Sequence, residues 1–68
     1  MNISDKINIL NLRILNIQEY INEHNRILDE EYHLLSEGDE EAIKNRLLDL
    51  NRSINALNDA KKALTNKA

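Results

Sequence analysis

Apolar residues recur along this chain at alternating intervals of three and four, and no proline interrupts them. In the first half the series runs Ile3, Ile7, Leu10, Ile14, Ile17, Ile21 and Leu28, broken at His24 and again at Glu31 before Leu35 resumes it. In the second half Ile43, Leu47, Leu50, Ile54, Leu57 and Leu64 keep the same spacing, with Lys61 out of character. Such spacing gathers the side chains on one stripe of an α-helix and draws a coiled-coil seam. The fold class it predicts is all-α.

The strongest punctuation is Ser36-Glu37-Gly38-Asp39, which holds the single glycine. Glycine suits the left-handed position that closes a helix, and the residue after it can cap the next one. The reading is a two-helix antiparallel hairpin with helices at about 4–36 and 40–65, a turn at Gly38 and coiled-coil-like packing, forming one domain over residues 1–68. Ser4 or Asn2 would cap the first helix, with Asp5 in its first turn, while Glu40 and Glu41 would begin the second. Each acid sits where the helix dipole favours it. Folding at Gly38 would bring Leu35 near Ile43, Leu28 near Leu47 and Leu50, and Leu64 near Leu10 or Leu12. The first helix would then overhang by roughly seven residues, about 10 Å, leaving Ile3 and Ile7 without cover.

Ile9, Leu12 and Leu15 lie outside the seam, and nearer the turn Tyr20, Ile27 and Leu34 repeat on its flank. A helix that is apolar on more than one face is buried by more than one neighbour. A chain of 68 residues without cysteine has no disulfide to compensate for a small core, and a monomer of that size buries only about 60% of its unfolded surface. Association into a helical bundle is expected, with Ile3, Ile7, Ile9, Leu12 and Leu15 as the protein interface. The partner would be a second copy, another protein, or both.

Catalysis is not expected of so small a chain, and no catalytic, cofactor-binding or metal-binding residues are assigned. Ser4, Ser36, Ser53 and Thr65 have no histidine and acid at nucleophile-activating distance in the pattern, and no glycine-rich phosphate loop exists. Glu30 and His33 have the Glu-x-x-His spacing of di-iron bundles, with Glu23 upstream, but fall on the side away from Leu28 and Leu35, toward water. His24 occupies a seam position, where a histidine sets register through a hydrogen bond across the helices and can act as a polar switch if buried. Arg13, Arg26, Arg46 and Arg52 are scattered and read as surface ion-pair partners for neighbours such as Glu23, Glu30 and Asp49. A net charge of −3 with no basic block argues against nucleic acid, and the absence of a long apolar run argues against a membrane span or signal segment. No small-molecule partner is expected, and the expected location is the cytoplasm.

Residues 7–19, through Leu10, Arg13, Ile14, Leu15 and Gln18, resemble the amino-terminal coiled-coil stretch of small tail-fibre assembly chaperones of T4-like phages. The second helix departs from that family, ending in Ala-Leu-Thr-Asn-Lys-Ala where the family is more alanine-rich with an acidic tail. The resemblance implies a non-enzymatic oligomeric helper in the assembly of fibrous virion proteins, acting in a host cytoplasm. It supplies no site residues. A bias toward Asn and Ile with no valine agrees with an A/T-rich genome such as that of many phages. A minor structural subunit of a larger particle, or an inhibitor of a host protein, fits the same composition.

Overall fold

The chain enters its first helix through a side-chain cap. Asn2 holds extended backbone (φ −88°, ψ 174°), and its Oδ1 accepts the Asp5 N–H at 2.8 Å, satisfying one of the donors that a helix start leaves open. The computed structural model describes residues 2–67, which form α1 (Ile3–Glu30), a short 3-10 turn (Tyr32–Leu34) and α2 (Glu37–Lys67). Helices of 28 and 31 residues span about 42 and 46 Å. The molecule measures 49 × 15 × 15 Å, so the two lie side by side and antiparallel. The fold is the all-α hairpin that the spacing predicts.

The turn comes earlier than Gly38. Glu31 closes α1 by donating its N–H to the Ile27 carbonyl at 2.9 Å, and the 3-10 turn follows through Leu34 N–H to Glu31 O and Leu35 N–H to Tyr32 O. Leu35 is extended, and Ser36 then starts α2 with a reciprocal pair of bonds. Its Oγ accepts the Asp39 N–H at 3.1 Å, while Asp39 Oδ2 accepts the Ser36 N–H at 3.2 Å. This capping box satisfies two backbone donors at once. Gly38 lies inside the first turn of α2 and has no left-handed backbone, so it does not terminate a helix as the sequence reading supposed.

Moving the turn transfers length from α1 to α2 and cancels the expected overhang. Ile3 and Ile7 are half-buried seam residues rather than an uncovered end. At the open end Leu10 and Leu64 line one hollow, as their expected pairing requires.

Among the described residues, every seam position from Ile3 to Leu64 is at least half-buried, and His24, Glu31, Glu40 and Lys61 keep their places in it. Ile14 alone, at 9% exposed, is buried. A single neighbouring helix covers each side chain from one side only. The two acids near the turn are neutralised within their own surroundings, Glu31 by Arg26 at 2.9 Å and Glu40 by Lys44 at 2.8 Å.

Two stability measurements follow from this packing. Ser36→Ala removes the capping hydroxyl and should lower the unfolding free energy by about 1 kcal/mol. Ile14→Ala should cost about 2–3 kcal/mol, against about 1–2 for the half-buried Leu50→Ala or Ile54→Ala. Urea unfolding checks both, and equal losses at all three seam positions would contradict the burial pattern.

Candidate protein interface

Residues three apart on a helix step backward by about 60°, so Ile9, Leu12 and Leu15 run as a diagonal across the face of α1 turned away from α2. They are exposed by 36%, 62% and 51%. The five residues assigned to the interface are thus divided by the structure: Ile3 and Ile7 pack in the seam, while Ile9, Leu12 and Leu15 face outward. Ile9 joins the two regions. It lines an open hollow of about 470 Å³ with Lys6 and Leu10 of α1 and Ala60, Ala63 and Leu64 of α2. The alanines of this wall escaped the sequence reading, although Ala56, Ala60 and Ala63 recur at helical spacing and mark a side of α2 that a neighbour can approach closely.

His24 is half-buried on the seam as expected, but its hydrogen bond stays within its own helix. Nδ1 lies 2.7 Å from the Tyr20 carbonyl oxygen, and since a carbonyl only accepts, Nδ1 carries the proton. The imidazole therefore satisfies one nitrogen locally instead of bridging to α2.

Charge at the end of α1 is organised by Arg26. Its Nε donates to Glu23 Oε2 at 3.0 Å, Nη1 to Glu30 Oε2 at 3.1 Å, and Nη2 lies 2.9 Å from Glu31 Oε2. Hydrogen bonding to this guanidinium holds the Glu23 carboxyl below its ordinary value, and the carboxylates push Arg26 further up. On α2 the Glu40 carboxylate raises Lys44, and Arg52 stands 3.9 Å from Asp49. The Glu30-x-x-His33 spacing crosses the end of α1, which puts His33 in the 3-10 turn, exposed, and leaves Glu23 and Glu30 bound to Arg26. Among the described residues no three His, Cys, Asp or Glu side chains are grouped to hold a metal. No helix among them is long and apolar enough to cross a membrane.

No family model, curated protein or solved structure matches the chain. What the surface can do is therefore read from its own geometry: it offers apolar side chains on a rigid helix, small residues beside them and charges of both signs, which is the equipment of helix-to-helix recognition.

The Arg26 cluster gives a pH dependence of defined sign. A carboxylate whose pKa is depressed on folding stabilises the fold above its unfolded value, and that contribution is lost as pH falls through the folded value. Titration of the Glu23 carboxyl by NMR should show a midpoint below the ordinary glutamate range, rising toward that range in Arg26→Gln. An unchanged midpoint in the variant would contradict the cluster.

Proposed function

We propose that this chain is a non-enzymatic protein-contact module, a small helical accessory or assembly factor that works by completing a bundle with other helices. The observation that carries this reading is the outward exposure of Ile9, Leu12 and Leu15 on a helix whose seam is already occupied by α2. Leu12 and Leu15 on water-facing helix surface have no role in the hairpin itself, Ile9 extends them toward the hollow, and apolar clusters of this kind mark protein contacts. The resemblance of residues 7–19 to tail-fibre assembly chaperones supports the finer reading, an assembly helper encoded by a phage, and Leu10, Arg13, Ile14, Leu15 and Gln18 are the residues on which it stands.

The test uses a tagged chain expressed in its cell of origin and sized by gel filtration of the extract. The wild type should elute in a heavier complex, and Leu12→Glu combined with Leu15→Glu should elute released from that partner, at the size of the purified chain. Because both side chains are exposed in the hairpin, the variant should keep its helicity and lose no more than about 0.5 kcal/mol of stability. Identical elution of the two would contradict the proposal.

A further inference from the structure

The hairpin has two unlike flanks. With Ile7, Ile14 and Ile21 at heptad position a, an antiparallel pair brings the e positions of both helices to one side and the g positions to the other. The e side is polar along its length, with Asn11, Gln18 and Asn25 on α1 and Asn51, Asn58 and Thr65 on α2. The g side carries Tyr20 and Ile27, with Ile9 and the alanines beside them, and it is there that the surface is hollowed. One hollow lies between Ile9 and Leu10 of α1 and Ala60 and Ala63 of α2, and a second of similar volume, about 470 Å³, follows Asn16, Tyr20 and Glu23 along α1.

We infer that a second copy of this chain covers the g side, related by a two-fold axis that runs the two α1 helices antiparallel and makes a four-helix bundle. The inference rests on the protein-contact reading above and names the partner of its Ile9 end. Charge on this side of α1 is divided by position: Lys6 and Arg13 lie in the first half, Glu23 and Glu30 in the second. A two-fold axis at the level of Gln18 sets Lys6 against Glu30, Ile9 against Ile27 and Arg13 against Glu23 of the copy. One rotation meets all three pairings, as an isologous interface requires. Among the described residues the cations on this side, Lys6, Arg13 and Arg46, make no intrachain ion pair, as Lys61 and Lys62 elsewhere make none, while Glu23 and Glu30 already bind Arg26 and would share their oxygens with the copy's cations. The alanine and serine side chains of α2 let the two second helices approach.

A compact monomer of this mass, 7.9 kDa, exposes about 4,400 Å², whereas this rod of 49 × 15 × 15 Å exposes 5183 Å² and leaves surface for a neighbour to cover. Leu12 and Leu15, on the far side of α1, stay free in this bundle for a different protein.

Light-scattering mass after size exclusion tests the inference with two charge-reversed chains, Lys6→Glu with Arg13→Glu and Glu23→Lys with Glu30→Lys. The wild type should run at twice 7.9 kDa. Each variant alone should dimerise roughly a hundredfold more weakly, because every opposed pair becomes like-charged, and an equimolar mixture should recover the double mass because all pairs become opposite again. The first variant leaves the Arg26 cluster intact, so its helicity and mass decide the matter even if the second does not fold. A wild type at single-chain mass up to high micromolar concentration would overturn the second copy while leaving the protein-contact reading to the Leu12 and Leu15 variant. A double mass that survives Lys6→Glu with Arg13→Glu but is lost in Leu12→Glu would place the copies on the back of α1, overturning this geometry and sparing that reading.

Discussion

A helix packed against one other helix is covered from one side, and everything particular to this protein descends from that limit. Seam side chains from Ile3 to Leu64 are in the right places for a coiled coil, yet Ile14 is the only one among the described residues to be buried. Burial stabilises in proportion to the apolar area removed from water, so half-covered isoleucines and leucines deliver only part of what the sequence holds. With so many asparagines, the helices draw modest support from intrinsic propensity. A third or fourth helix would add burial that a single neighbour cannot, and the apolar surface without cover is the surface such a helix would meet.

Where the chain turns decides which residues that surface contains. The reciprocal bonds between Ser36 and Asp39 start α2 ahead of Gly38, and the 3-10 turn ends α1 at Glu30. Both helix ends are then flush, Ile3 and Ile7 enter the seam, and Lys6 and Ile9 come to lie beside Ala60 and Ala63. A turn a few residues later would have left an apolar overhang instead of a hollow with two walls. Local capping chemistry thus reaches the interface through register alone.

The seam was legible from spacing because a 3.5-residue period is a global property that single exceptions do not erase: His24, Glu31 and Lys61, which break the pattern by residue type, still occupy seam positions. The turn was less legible because two local signals competed. Glycine reads as a helix end, but Ser-x-x-Asp reads as a helix start, and the box that satisfies two donors prevails over a conformational permission that the chain did not need. Ile9, Leu12 and Leu15 were visible as apolar residues off the seam, whereas grouping them with Ile3 and Ile7 depended on an overhang that the earlier turn removes. The hydrogen bond of His24 was beyond the sequence, since both its own Tyr20 carbonyl and the facing helix are within reach of a seam imidazole.

The central claim is that the hairpin is completed by a second copy of the chain, and the thermal midpoint as a function of concentration tests it most directly. A fold that gains stability from a second copy must unfold at a temperature that rises with protein concentration, by mass action. Circular dichroism melts across about a hundredfold range of concentration should show a steady upward shift of the midpoint. A midpoint that does not move across that range would show that no second copy completes the hairpin and would contradict the claim.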